Sequence, residues 1–349
     1  FLQTCGKVPR STVMYAVPTY KDSSLTQFWM LDDTYVQKYG IDVDGIKDYA
    51  TLNDALQTIK EGEGKSVYPM QLAQGSTFNG FFNNYDGLAS GLQPIGVKYD
   101  DASRKVVCTL EQDDIMDGLN WLHKWYQDGI INPDANVVTD GGKGSIFGSA
   151  QGWPAAATTW AFNQGIEKYD LTQVFGPLYT TETIQGSMNA ISANSKYKTE
   201  ALKVLQLMNT DPKFRDMCAY GTEGNYMEYA EDGTVQKLRD DWNWPSYTQG
   251  TFFILSTQAD GDPDAWNQVK EQNESATSST CLGFALDVTN IQNEIANCNT
   301  VWDKYKNDLL TGASDPATAV PACIEELKAA GLDTVIEEAQ KQVDEFFAN

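Results

Sequence analysis

Apolar residues recur along this chain with two spacings. Short apolar runs bounded by glycine, proline or polar residues read as strands, and residues 13–20, 28–31, 67–72, 105–110 and 145–150 are of this kind. Residues 282–287 are strand-like too, and they lead into a long helical pattern carrying Ile291, Ile295, Trp302 and Leu309. Elsewhere the spacing is helical. Ile115, Leu119, Leu122 and Tyr126 form one stripe of an amphipathic helix over residues 113–128, with Gly129 as its stop. Leu52, Leu56 and Ile59 form another. There Thr51 reads as the N-cap, accepting from the Asp54 N–H, and Gly62 and Gly64 end the helix. Residues 199–209 read as a helix carrying Ala201, Leu202, Leu205 and Met208, and residues 321–347 as two helices broken at Gly331. Strands and helices in alternation predict α/β layers over a sandwich or a bundle.

One stretch concentrates features of a ligand edge. Lys143-Gly-Ser-Ile-Phe-Gly-Ser-Ala150-Gln-Gly-Trp153-Pro-Ala-Ala-Ala-Thr-Thr-Trp160 runs from a strand through a small-residue turn to a helix start. Pro154 suits that first turn, because the N–H it lacks would have no partner there. Such an edge can face a ligand. Trp153 and Trp160 flank the turn. An indole can stack on a sugar ring while its N–H donates a hydrogen bond, and it serves equally well as core packing.

Length, charge and missing motifs narrow the classes. A chain of 349 residues exceeds one ordinary core and predicts two lobes. Lys plus Arg number 25 against 48 Asp plus Glu, a formal charge of −23. That surface repels phosphate backbones and anionic headgroups, which disfavours nucleic acid and direct membrane-surface binding. No run approaches the length of a membrane-spanning helix. The six cysteines are dispersed without a Cys-x-x-Cys pair, so a zinc site or redox motif has little support, and Cys218 and Cys298 read as small buried residues in helices. His123 is the one histidine, at the edge of a helix stripe, so a His-rich metal site is excluded. Gly141-Gly-Lys-Gly-Ser145 fails the phosphate-loop spacing, because Gly144 separates the lysine from the serine. Asp260-Gly-Asp-Pro-Asp264 lacks the spacing of a calcium loop and reads as a solvated acidic loop. The expectation is no catalytic residue, no metal and no cofactor. A pair of carboxylates of the kind glycosidases use stays open, since acids abound and no pair stands out.

Several strings, in order along nearly the whole chain, resemble a known family. They are Tyr15-Ala-Val-Pro-Thr-Tyr-Lys-Asp22, Val174-Phe-Gly-Pro-Leu178, Gly186-Ser-Met-Asn-Ala-Ile-Ser-Ala-Asn-Ser-Lys-Tyr197, Leu205-Gln-Leu-Met-Asn-Thr-Asp211, Tyr220-Gly-Thr-Glu-Gly-Asn-Tyr226 and Leu309-Leu-Thr-Gly-Ala-Ser-Asp-Pro316. Together they resemble the extracellular solute-binding proteins of bacterial ABC transporters (family 1 type), closest to a lipoprotein subfamily associated with carbohydrate uptake. The resemblance implies an α/β, two-lobe periplasmic-binding-protein-like fold of class II with discontinuous lobes and the ligand between them. It implies that residues 1–21 and 187–255 belong to lobe 1 and residues 22–186 and 256–349 to lobe 2 with its C-terminal helices. In the family a sizeable segment with a signal and a lipidated cysteine precedes the stretch that matches residues 15–22, so lobe 1 is expected to be incomplete here.

The resemblance also implies ligand-binding positions: Trp160, Trp153, Tyr20, Asp22, Glu223, Tyr226 and Trp242. It implies a carbohydrate ligand, permease subunits as partners, a monomer, and a cell-surface location through a lipid anchor. The function expected is that of a sugar or oligosaccharide receptor for an ABC importer. The alternative is a glycoside hydrolase using two carboxylates, which would release shorter products. A purely structural surface protein would show no saturable ligand.

Overall fold

The computed structural model describes residues 6–7, 13–239, 241–242 and 244–348. In chain order the first elements are β1 (Val17–Pro18), β2 (Leu25–Asp32), α1 (Asp33–Tyr39), α2 (Tyr49–Glu63), β3 (Tyr85–Asp86), β4 (Ile95–Lys98), β5 (Val106–Cys108) and α3 (Asp113–Gln127). The middle of the chain holds β6 (Phe147–Gln151), α4 (Ala157–Gln164), β7 (Tyr169–Tyr179), α5 (Thr181–Gln185), β8 (Met188–Asn189), α6 (Lys198–Thr210), α7 (Pro212–Tyr220), β9 (Met227–Tyr229) and β10 (Val235–Lys237). Then come α8 (Ala265–Ser275), β11 (Thr277–Ser278), α9 (Gln292–Leu310), α10 (Pro316–Ala329) and α11 (Leu332–Phe347). The chain is mixed α/β, as its alternating pattern predicts.

The chain divides into two compact units. Unit 1 comprises residues 1–26, 152–156 and 176–278, and unit 2 comprises residues 27–151, 157–175 and 279–349. Residues 22–26, 152–156, 176–186 and 256–278, expected from the sequence in one lobe with residues 27–151, fall in unit 1. For residues 256–278 the physical reason is α8, whose Val269 is fully buried in one cluster with Phe252 and Leu255.

Unit 2 is built on apolar burial. Leu52, Leu56 and Ile59 of α2 and Ile115, Leu119, Leu122 and Trp125 of α3 have no exposed surface. They share a core with Cys298, Cys323, Leu327, Leu332, Val335 and Ala339 of the three C-terminal helices. β6 pairs antiparallel with β2, and β3, β4 and β5 form an antiparallel sheet of their own.

Four readings need correction here. The cap of α2 is Asp48, not Thr51: Asp48 Oδ1 accepts the Thr51 N–H at 2.8 Å while Thr51 Oγ1 accepts the Asp48 N–H at 3.1 Å, a reciprocal capping box that starts the helix earlier. Residues 67–72 make no strand, because their backbone bonds go singly to scattered partners: Met70 N to Ile130 O, Leu72 N to Asn132 Oδ1, and Phe147 N to Pro69 O. Residues 282–287 form no strand: a turn through residues 282–283 and irregular backbone after it put Phe284 and Leu286 into the core, with Leu286 N donating to Leu88 O. Finally, α10 begins at Pro316 under an Asp315 cap and carries Pro321 inside it.

Unit 1 has a smaller core of Ala219, Tyr220, Met227, Val235, Phe252, Leu255 and Val269. Its strands are short: β1 pairs with β8, β9 with β10, and β11 runs parallel to the end of β7. Of residues 13–20 only β1 is strand, and Val13, Met14 and Tyr15 are exposed. Helix α6 forms as expected, yet of its apolar residues only Met208 is fully buried, and Leu202, Val204 and Leu207 face solvent. Gly176 (φ +77°) lets β7 approach β2 closely, since a Cβ there would stand 2.0 Å from Leu25 O.

Candidate functional site

The opening turn behaves as its sequence suggests. β6 ends at Gln151, residues 154–156 form one turn of tighter helix starting on Pro154, and α4 follows. The two flanking tryptophans then part company. Trp153 belongs to unit 1, half-buried, with its ring centroid 5.5 Å from Phe252 and 6.0 Å from Trp266. Among the described residues Trp153 Nε1 and Trp266 Nε1 have no hydrogen-bond partner. Trp160 belongs to unit 2, half-buried over Met30, Ala161 and Tyr169, with its ring 6.2 Å from Phe28. Both indoles are thus partly packed and partly exposed.

The other candidates all lie in unit 1. The Tyr20 ring stands 4.6 Å from Phe253, tilted by 52°, and 42% of the residue is exposed. Asp22 accepts from Lys21 Nζ at 2.8 Å, an ion pair with both side chains largely buried. Its carboxylate is therefore partly committed. Tyr226 faces Trp242 at 5.7 Å, and the Arg239 guanidinium sits 4.6 Å over the Tyr226 ring. The Trp242 N–H is spent on Cys218 O at 3.1 Å. Glu223 is exposed in the turn before β9. The fold thus joins Tyr226 with Trp242 and Lys21 with Asp22, and it puts Trp160 in the other unit from the remaining candidates.

Two polar hubs escaped the sequence reading. Asn273 on α8 donates from Nδ2 to Lys21 O at 2.6 Å, and its Oδ1 accepts the Ser23 N–H at 3.1 Å. Gln268 and Gln272 of the same helix take the Ala155 N–H at 2.9 Å and donate to Gly152 O at 3.2 Å. α8 therefore grips both segments that carry Asp22 and Trp153. The second hub is Asp216, whose carboxylate accepts from Ser256 N (2.9 Å), Ser256 Oγ (2.8 Å) and Tyr229 Oη (2.9 Å). Burial, together with the Asp216 carboxylate, pushes the Tyr229 phenol above its ordinary value, so it stays a donor. A lone Asn or Asp in a helix carries no pattern that would announce such long-range bonds.

The remaining chemistry-bearing residues have structural partners. His123 Nδ1 lies 2.8 Å from Gly312 O, and since a carbonyl only accepts, that nitrogen holds the proton. Asp262 of the acidic loop accepts from Asp264 N at 2.8 Å and from Gln268 Nε2 at 2.6 Å, which ties it to the start of α8. Among the described residues no group of three or more His, Cys, Asp or Glu could hold a metal ion. Cys298 is fully buried and Cys218 partly so, and burial pushes the Cys298 thiol up to about 11. Cys5 lies outside the described residues.

Comparison with known proteins gives a consistent picture. Residues 280–348 match the model of a domain of unknown function, DUF3502. A carbohydrate ABC transporter substrate-binding protein of Streptococcus pneumoniae serotype 4 is 28% identical, over 96% of this chain and 70% of its own length. The N-glycan transport solute binding protein NgtS of S. pneumoniae, in complex with Man1GlcNAc, superposes with a TM-score of 0.83 at 26% identity, covering 99% of this chain and 78% of that one. Its complex with Man5GlcNAc gives 0.81 at 26% identity, over 99% and 77%. An HMO-binding, ABC-transporter-associated solute binding protein of Bifidobacterium longum infantis shares the fold at a TM-score of 0.59 and 16% identity, over 98% of this chain and 79% of that one. In sequence and fold, this chain is similar to the substrate-binding proteins of carbohydrate ABC transporters.

Proposed function

We propose that this chain is the carbohydrate-binding component of an ABC importer and that it performs no chemistry on its ligand. The observation that carries the reading is the whole-chain likeness, across both units, to a solute binding protein solved with two glycans bound. The half-exposed aromatic rings of Tyr20, Tyr226, Trp242, Trp153 and Trp160 supply the surface chemistry that sugar faces require. The ligand is an oligosaccharide of the N-glycan type, built of mannose and N-acetylglucosamine. The partners are permease subunits, and the protein works outside the cell as a lipid-anchored monomer. A net charge of −23 agrees with a neutral sugar ligand and with no nucleic acid.

Calorimetric titration with Man5GlcNAc, followed by chromatography of the recovered sugar, tests this reading. Saturable binding with the glycan returned intact is expected. Release of shorter products would establish the hydrolase alternative, and no saturable binding to any oligosaccharide would remove the receptor reading.

A further inference from the structure

A buried cation fixes one loop of unit 1. Arg215, on α7, has no exposed surface. Its Nη2 donates to Ser246 O at 2.8 Å and its Nε to Thr251 O at 3.0 Å, so one guanidinium spans the loop from 246 to 251. A planar fork makes two such bonds at once, which a lysine ammonium on its flexible stem does not reproduce. Gly250 (φ +76°) closes over the guanidinium, and a Cβ there would stand 2.7 Å from Arg215 Nε. Three more bonds hold the same backbone: Ser187 Oγ to Tyr247 O at 3.1 Å, Thr19 Oγ1 to Thr248 O at 3.3 Å, and Thr251 N to Asn209 Oδ1 at 3.1 Å. From this pinned loop the Tyr247 side chain leaves into solvent, and the residue is 55% exposed.

Burying a charge costs desolvation, and an aromatic ring left in water returns little stability. Both together describe a ring presented in a set direction. The neighbourhood supports a ligand surface. Thr19, which bonds the loop at Thr248 O, immediately precedes Tyr20, a second exposed tyrosine backed by Phe253.

We propose that Tyr247 is a carbohydrate-contacting residue of unit 1 and that Arg215 is its positioning residue. The proposal rests on the sugar-binding reading above and adds to it a ring and a support that the candidate residues did not include. The phenol ring stacks on the apolar face of a pyranose, and its hydroxyl exchanges hydrogen bonds with sugar hydroxyls. The pinned backbone removes the cost of ordering the loop when ligand arrives.

The test is calorimetric titration of the whole chain and its variants with Man5GlcNAc, a maltooligosaccharide and a fructo-oligosaccharide, alongside thermal unfolding. Tyr247→Ala is expected to weaken binding of the recognised sugar about tenfold, with Tm shifted by no more than about 1 °C, because an exposed side chain contributes little to stability. Tyr247→Phe keeps the ring and most of the affinity. Arg215→Lys keeps the charge without the fork and is expected to weaken binding about as much as Tyr247→Ala. The double variant should lose no more than either single one, a non-additivity that a merely structural role of Arg215 would not produce. Additive losses overturn the role of Arg215. Should Arg215→Lys fail to fold, Tyr247→Ala decides: unchanged affinity overturns the proposal and leaves the sugar-binding reading standing. A parent chain that binds none of the three sugars overturns that reading, and the proposal with it.

Discussion

Unit 2 and unit 1 are made specific by different means. In unit 2 the core is apolar and continuous, with Leu52, Leu56, Ile59, Leu119, Leu122, Trp125, Leu327 and Val335 all without exposed surface. Its shape follows from filling volume. In unit 1 the apolar core is small, and charged or amide side chains are buried beside it: Arg215 at 0%, Asp216 at 1% and Asn273 at 6% exposure. Each of these reaches backbone groups of distant loops. Arg215 Nη1 is buried without a hydrogen-bond partner among the described residues, but its Nε and Nη2, like the Asp216 and Asn273 groups, are paired, and paired polar groups select one arrangement of the segments they join. Unit 2 buries polar groups too, Asp86 and Gln342 among them, with Gln342 bonded to the Asp287 backbone, but it does so beside a much larger apolar core. The lesson is one of proportion: apolar burial dominates unit 2, and directed bonds carry a larger share of unit 1, where they set how its loops, and the rings on them, stand.

The largest test of that contrast is Trp125→Ala. The ring sits edge-on to Tyr49 (6.2 Å) and Phe78 (6.0 Å), and its indole N–H reaches Asn53 Oδ1 at 3.3 Å. Removing a fully buried tryptophan should cost about 3–5 kcal/mol. Hydrogen exchange should speed up first in α2 and α3. A loss under about 1 kcal/mol would mean that unit 2 is not organised by its apolar core.

Asp216→Ala is the matching cut in unit 1. It leaves the Ser256 N–H, the Ser256 hydroxyl and the Tyr229 hydroxyl without their acceptor. A stranded donor costs about 1–3 kcal/mol when buried, and these three are partly buried, so a net loss of about 3 kcal/mol is expected. Asp216→Asn should lose less, because one oxygen still accepts. Faster exchange at Ser256 N and through α7 would support the contrast. An Asp216→Ala variant as stable as the parent would break it, since a network that stabilises unit 1 cannot be removed without loss.

The same contrast explains what the sequence makes legible. The stripes of α2, α3 and α11 are local and repeat at helical spacing, so their buried faces can be read from a window of residues. Even there the cap of α2 was misplaced by three residues, because Asp48 and Thr51 are both good capping residues and only geometry ranks them. Unit 1 is far less legible. Asn273 bonds Ser23 across 250 residues, and Arg215 bonds Thr251 across 36, with no periodicity to mark either pair. Among the candidate residues, the Tyr226–Trp242 pair shows how far composition goes. An aromatic-rich stretch can be noticed, but not which ring stays in water. Tyr247 stands in that same stretch, three residues beyond Trp244, and the Trp-Pro-Ser-Tyr turn was the available signal.

Trp160 carries the smallest and most decisive expectation for unit 2. Its ring is half-buried over Met30, Ala161 and Tyr169, in a small cluster separate from the main core. A half-buried ring should cost only about 1–2 kcal/mol of stability on Trp160→Ala, well short of the loss from Trp125. If its exposed part stacks on a sugar, the same change removes about 1.4 kcal/mol of binding, a tenfold rise in Kd. The two measurements separate the roles. A stability loss of about 3–5 kcal/mol with unchanged affinity in the folded fraction would make Trp160 a core residue. Weaker binding with a nearly unchanged Tm would give unit 2 a ligand-facing ring of its own. In that case the division of labour is incomplete, and unit 2, though stabilised by its core, also contributes to recognition through the helix that follows the Trp153-Pro-Ala turn.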